Sequence, residues 1–346
     1  MNFKKIITIL AVLGLVIAAI VAAYVYNRAF TPNTTFVQKE VFVYVPSNAT
    51  YDEAKEAIEP FVKNMAKFDF VASQRKYNTN VKAGKFLLKQ NMTTFDMVRA
   101  LRSNVPVKVA FNNQESLDKL AARLSDQLEP TKEEIVSVFT NEAFLKKNNF
   151  TSENILSMFI PNTYEFYWNI SAENLADKMA KEYRKFWNVK RLEKAQKKGL
   201  TPIEVSVLAS IVHKETAKAD ERPRVAGVYL NRMHTGMPLQ ADPTIIYALK
   251  KQSGDFDQVI KRVFHNDLNI ESPYNTYKYA GLPPGPIAMP DISAIDAVLN
   301  AEQHDYLYFC ASPDKPGYHV FASNYDQHLI NARIYAAWVN KLGISR

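Results

Sequence analysis

Glu215 is the first residue whose position asks for a chemical explanation. It closes the stretch TPIEVSVLASIVHKE (residues 201–215), in which Val205, Leu208, Ile211 and Val212 recur at helical spacing. At about 100° per residue, Glu215 projects onto the same apolar stripe, while His213 and Lys214 project toward solvent. A carboxylate on an apolar face is costly unless it is paired or kept protonated. Desolvation penalises the charged form and raises the pKa, which is what a general acid needs near neutral pH. The plain alternative is an ion pair, with Lys218 or Arg222 as partner.

Around Glu215 the sequence gathers hydrogen-bonding and ring-stacking residues. Asn231, Arg232, Gln240, Asp242, Tyr274, Asn275, Thr276 and Tyr277 lie between the helix and a proline-rich loop. Such a mixture suits sugars, which present hydroxyls on their edges and apolar faces. Taken singly, Asn231 and Arg232 also fit helix braces, and Asp242 before Pro243 also fits a helix start. His319 fits either the site or strand packing.

The elements that must carry these residues follow from pattern. Thr201 is an N-cap and Pro202 suits the first helical position, so a helix runs from there to about residue 217, with another starting near Glu221. Residues 274–290, YNTY through GLPPGPIAMP, form a loop. YLYFC and YHVFA read as strands around a turn at residues 313–317, and residues 325–342 as a helix. Residues 172–196 read as one long amphipathic helix. Upstream, EVFVYV (residues 40–45) and residues 85–89 read as strands, with helices at 52–65 and 95–102 between and after them. Residues 105–111 read as a strand. Ser116 and Thr131 cap further helices, and FIPNTY (residues 159–164) reads as a turn stopped by Pro161.

Composition bounds the rest. Over 346 residues, 47% hydrophobic and 23% charged supply a core and exclude a disordered chain. Net charge is +8, but Lys and Arg are scattered without a basic run, so nucleic acid is not the expected partner. An acidic polymer is compatible with that surface. Cys310 is the single cysteine, in a run that reads as a buried strand, so no intrachain disulfide forms. No metal or cofactor is expected.

Lys4 and Lys5 precede an uncharged stretch, residues 6–26. At 1.5 Å per residue it spans roughly 30 Å, the hydrocarbon thickness of a bilayer. The lysines should stay cytoplasmic, with Tyr24, Tyr26 and Arg28 at the far interface. A cleaved signal peptide, cut near Ala19, Ala22 or Ala23, is the competing reading; the apolar stretch exceeds the usual signal core. Both place the body outside the cytoplasm.

LASIVHKET, ERPRVAGVYLNRMHTGMPLQADPTIIYAL, YNTY and GLPPGPIAMP resemble the endolytic murein transglycosylases, the YceG-like or MltG family. FIPNTYEF, YLYFCAS and HVFASNYDQH continue the match, and VKAGKFLL resembles the family's glycine-bearing strand after its LysM-like module. The resemblance implies an α+β fold: a transmembrane anchor (1–30), a small LysM-like α/β module (38–104), an intermediate α+β subdomain (105–190) and a mixed α+β catalytic domain (191–346). It implies a single-pass protein of the inner, cytoplasmic membrane whose catalytic domain lies in the periplasm. Its activity would be that of a lyase cutting the MurNAc–GlcNAc bond of nascent peptidoglycan strands, leaving 1,6-anhydro-MurNAc ends and terminating strands. Peptidoglycan synthases would be partners.

The family's catalytic glutamate is the second of an E-K-E-T pattern, which places it at Glu215; His213 stands where the pattern has its first glutamate. Asn231, Gln240, Asp242, Tyr274, Asn275, Tyr277 and His319 are the expected substrate contacts. Two rival functions stay open: a hydrolytic muramidase using Glu215 and Asp242, and a non-enzymatic glycan-binding scaffold.

Overall fold

The computed structural model describes residues 3–341; Met1, Asn2 and residues 342–346, including the last residue of the expected C-terminal helix, lie outside the described residues. Its chain packs as two compact units. One holds residues up to Val109 together with Gln127–Pro130 and Tyr164–Ser171; the other holds Ala110–Asp126, Thr131–Thr163 and the chain from Ala172 onward.

The first unit begins with α1 (Phe3–Ala29), of which only Ala29 is buried. With a mean hydropathy of 3.0 it is long and apolar enough to cross a membrane. At its C-terminal end Tyr24 meets Phe70 edge to face at 5.7 Å, and Arg28 lies over the Tyr24 ring at 4.6 Å. Next come β1 (Glu40–Val45), α2 (Tyr51–Ile58), α3 (Met65–Gln74), β2 (Gly84–Lys89) and α4 (Thr94–Ala100). The helix expected over 52–65 is in fact two: Pro60 lacks the N–H that would continue α2, and Asn64 caps α3. β1 and β2 pair antiparallel, Glu40 opposite Lys89 and Val45 opposite Gly84. Val43 and Val45 point into a core with Phe68, Phe86, Leu88 and Met97. Gly84 sits at φ +141°, and a Cβ there would lie 2.4 Å from the Asn104 side chain, so no other residue fits without a shift.

β3 (Pro106–Phe111) pairs with β4 (Asn162–Tyr167). The turn expected at 159–164 therefore gives way to a strand straight after Pro161. Between them lie α5 (Leu117–Ser125), α6 (Lys132–Phe139) and α7 (Glu142–Asn148), capped by Ser116, Thr131 and Asn141.

In the second unit, the long helix expected at 172–196 breaks at Trp187 into α8 (Ala172–Phe186) and α9 (Val189–Lys197), because Asn188 caps the second by accepting from the Arg191 N–H. Then follow α10 (Pro202–Glu215), α11 (Arg222–His234), α12 (Asp242–Ser253) and α13 (Ile292–Leu299). β5 (Tyr308–Ala311) and β6 (His319–Ala322) form an antiparallel hairpin before α14 (Tyr325–Lys341). Cys310 is half-buried there rather than buried, and burial pushes its thiol pKa up, away from an activated nucleophile.

α10 is the axis of this unit. A capping box between Thr201 and Glu204 fixes its start. Every residue from Val205 to Val212 is buried, so the helix is enclosed all round rather than along one stripe. Val205, Leu208, Ile211 and Val212 are fully buried, each contributing roughly 1.5–3 kcal/mol of transfer free energy. Accessible surface returns over the last three residues, His213, Lys214 and Glu215.

Candidate active site

Glu215 is the last residue of α10, and Thr216 leaves the helix in extended conformation. Its side chain is half-buried and keeps some accessible surface. Its Oε1 accepts one hydrogen bond, 2.7 Å from the Tyr229 hydroxyl on α11. Burial raises its pKa to about 7, reinforced by the charge of Asp242 and opposed by the Tyr229 hydrogen bond and the Arg232 charge. The helix terminus acts in the same direction as burial, since the negative end of the α10 dipole disfavours a second negative charge. Neither Lys218 nor Arg222 pairs with it: Lys218 lies over the Tyr318 ring at 5.0 Å, and Arg222 is bound to Asp291.

Asp242 opens α12 and is exposed, and its Oδ1 accepts from the Tyr277 hydroxyl at 2.5 Å. Tyr277 is half-buried, and its hydroxyl pKa is raised by burial, by the Asp242 hydrogen bond and by the charges of Asp242 and Glu215. Gln240 is exposed at φ +50°, a left-handed conformation that a glutamine adopts only when its surroundings hold it. Here its N–H donates to the Thr276 carbonyl at 2.9 Å, and Thr276 Oγ1 accepts from the Ala241 N–H at 3.0 Å.

Two of the expected contacts are fully buried. Tyr274 is fully buried, its ring 4.7 Å from that of Tyr247 and its hydroxyl 2.9 Å from a Glu153 carboxylate oxygen. Asn275 is fully buried, donating to the Leu268 and Ile270 carbonyls and accepting from the Tyr277 N–H. Both shape the loop that presents Tyr277. Asn231 likewise commits its amide nitrogen to the carbonyls of His304 and Tyr306, at 2.8 and 3.0 Å. His319 is tied to the buried Glu221, whose carboxylate accepts from the His319 N–H at 2.7 Å and lies 2.8 Å from Nδ1. Its ring meets Phe309 at 5.1 Å, and Phe309 meets Tyr229 at 5.9 Å.

His213 does not face solvent as the helical projection suggested. Its Nδ1 lies 3.1 Å from Asp291, and its Nε2 contacts the Asn113 amide. Asp291 also takes both oxygens' worth of contact from Arg222, at 2.9 and 3.0 Å, and Arg222 donates to the Thr216 carbonyl at 3.2 Å. A clamp thus holds the peptide that follows Glu215. Tyr229 and Asp291 escape the sequence reading, and Arg222 enters it only as a possible partner of Glu215. Tyr229 follows Val225 by four residues, a signal for the core face of a helix but not for a carboxyl partner.

The site is therefore one carboxyl group, its pKa pushed up to about 7 by burial at the end of an enclosed helix, with an exposed carboxylate and tyrosine hydroxyls around it. The chain belongs to the YceG-like family, whose sequence profile matches residues 43–334. It is 28% identical over 332 residues to a Bacillus subtilis protein named endolytic murein transglycosylase, covering 88% of each chain. A Streptococcus pneumoniae protein of the same name is 30% identical over 325 residues; these are 84% of this chain but 57% of that relative's length. The crystal structure of a YceG-like protein from Listeria monocytogenes superposes with a TM-score of 0.56 at 27% identity, covering 84% of this chain and 98% of that one.

Proposed function

We propose that this protein cuts peptidoglycan glycan strands as an endolytic lytic transglycosylase, with Glu215 as its single acid and base. Protonated Glu215 gives its proton to the glycosidic oxygen between muramic acid and glucosamine, and the bond opens through an oxocarbenium-like state. The resulting carboxylate takes the proton of the muramoyl C6 hydroxyl as that oxygen bonds to C1. The products are a glucosamine-ended fragment and a 1,6-anhydro-muramoyl end, and Glu215 regains its proton. The nucleophile belongs to the substrate, so high effective molarity replaces a bound water.

The observation that carries this reading is the place of Glu215 at the end of an enclosed helix with a phenol as hydrogen-bond partner, where burial pushes its pKa up to about 7. Exposed Gln240, Asp242 and half-buried Tyr277 are the substrate contacts we favour over His319, which is tied to Glu221. Digestion of purified strands followed by mass spectrometry tests it: the anhydro product is one water lighter than a hydrolytic product, and Glu215→Gln abolishes it.

Hydrolysis is the second reading, favoured by one observation: Asp242 is near enough for its charge to raise the Glu215 pKa, and it is exposed to water. There Asp242 activates water and the product carries a free reducing end. In either case α1 anchors the chain in the cytoplasmic membrane with the body in the periplasm. The β–α–α–β order of residues 40–89 fits a LysM-like glycan-binding module. Strand termination beside peptidoglycan synthases is the role that follows.

A further inference from the structure

A cavity of about 460 Å³ in the second unit belongs to none of the groups assigned above. Its size is that of a small-molecule site. Its lining includes Lys214 and Pro243, the chain neighbours of Glu215 and Asp242, so it adjoins the acid site without containing it. Pro243, Ile246, Tyr247 and Lys250 all come from α12, at the spacing of one helix face. One wall is therefore aliphatic and aromatic, with an ammonium at its end.

The charges lining the cavity do not balance. Lys119, Lys214 and Lys250 meet only two carboxylates, Glu115 and Asp257. Lys119 is matched by Asp257 at 2.5 Å. Lys214 and Lys250 share Glu115, one on each oxygen, at 2.6 and 2.7 Å. Lys250 is 12% exposed, so its charge is poorly screened by solvent. One positive charge is left over, held in a partly dry concavity by residues that are already ordered.

We infer that this cavity is a subsite for the stem peptide of the muramoyl unit being cut, a short acidic peptide with small aliphatic side chains. Its carboxylate joins Lys214 and Lys250 opposite Glu115, and its aliphatic groups lie on Ile246 and Tyr247. The assignment rests on the reading of Glu215 as the acid that cuts glycan, because that reading puts a muramoyl unit next to Lys214. It makes the enzyme selective for peptide-bearing strands over strands stripped of peptide.

The test is a titration of the full-length Glu215→Gln protein in detergent with two glycan strands of equal length, one peptide-bearing and one denuded by an amidase. About tenfold tighter binding of the peptide-bearing strand is expected, the equivalent of one well-placed charge-assisted contact. Adding Lys214→Gln and Lys250→Gln brings the two affinities together. Adding Glu115→Gln instead widens the gap, an increase that misfolding cannot mimic. Equal affinities in the Glu215→Gln protein, or a gap unmoved by the Glu115 and lysine changes, overturn the subsite. Cleavage by the unsubstituted protein is scored separately, so failure of the catalytic reading shows as uncut strands whatever the titration gives.

Discussion

Glu215 and Asp291 lie on neighbouring elements of one unit, and their carboxyl groups are driven in opposite directions. Burial alone would raise Asp291, but the His213 imidazole, 3.1 Å away, and hydrogen bonds from Ser293 and the Ala294 N–H take it well below the usual carboxylate range. One guanidinium nitrogen of Arg222 adds a contact shared between both oxygens. Glu215 has one phenol and the end of a helix, and burial takes it up to about 7. Where this fold saturates a carboxylate with donors, it gains a fixed joint. Where it withholds them, it keeps a proton available at neutral pH. The joint and the acid are linked, since Arg222 also holds the carbonyl of Thr216, the residue after Glu215.

The comparison breaks first at the acid. Glu215→Gln keeps the shape and the Tyr229 contact but removes the transferable proton. Glycan cleavage should fall about 10³-fold or more, within the range for loss of a general acid, with the circular dichroism spectrum unchanged. A loss below tenfold would mean that another group supplies the proton.

The joint should fail by stability rather than chemistry alone. Arg222→Ala removes the guanidinium from Asp291, which keeps Ser293 and the Ala294 N–H, and takes away the donor to the Thr216 carbonyl. Removing one member of a buried pair costs 3–5 kcal/mol, and the partial exposure of Asp291 reduces this to roughly 2–3 kcal/mol. Chemical denaturation measures it, and a change under 0.5 kcal/mol, by the ordinary standard of surface substitutions, would show that the clamp does not hold the fold.

Gly285 probes the packing of the proline-rich loop against the Glu153 backbone and the Tyr274 hydroxyl. A Cβ there would fall 1.9 Å from the Glu153 carbonyl oxygen, which is backbone and cannot swing aside. Gly285→Ala should destabilise by about 1–3 kcal/mol, the usual cost of overpacking. An unshifted melting temperature would contradict this.

The smallest expected effect sharpens the comparison most. The Tyr229 hydrogen bond lowers the Glu215 pKa, so Tyr229→Phe raises it. An acid that must be protonated loses activity as pH rises through its pKa, so the alkaline limb of the rate profile should move upward. The shift is up to about one pH unit, as for one hydrogen bond to a charged group. A downward shift would mean that Tyr229 does not donate to the carboxylate.

Stability carries the same sign. The folded pKa of Glu215 lies above its ordinary 4.5, so its contribution is fully present below that value and is lost as pH rises through about 7. Glu215→Gln removes that loss. Its melting temperature relative to the unsubstituted protein should therefore be higher at pH 8 than at pH 4. A difference independent of pH would show an unshifted group.

Local signals were legible in the chain. Ser116, Thr131 and Thr201 cap their helices as their positions suggest, and the β5–β6 hairpin forms around its turn. Glu215 stood out because a carboxylate follows four aliphatic residues at helical spacing. That spacing misdescribed the helix, which is enclosed on all sides, and so misplaced His213. The partners of His213 are Asn113 and Asp291, far away along the chain, and no helical projection contains them. Tyr274 and Asn275 are buried for a related reason. Polar residues in a loop look like ligand contacts, yet a long irregular loop must satisfy its own backbone from within. Asn275 does this with both ends of its amide.

Catalysis by a single carboxyl requires Glu215 to hold its proton near neutrality. Carbon-13 NMR of the glutamate side-chain carboxyls, recorded from pH 4 to 9 and assigned by its absence in Glu215→Gln, measures this directly. A carboxyl resonance titrating with a midpoint near 7 is the predicted result. A midpoint at about 4.3, that of an unperturbed glutamate, would contradict it.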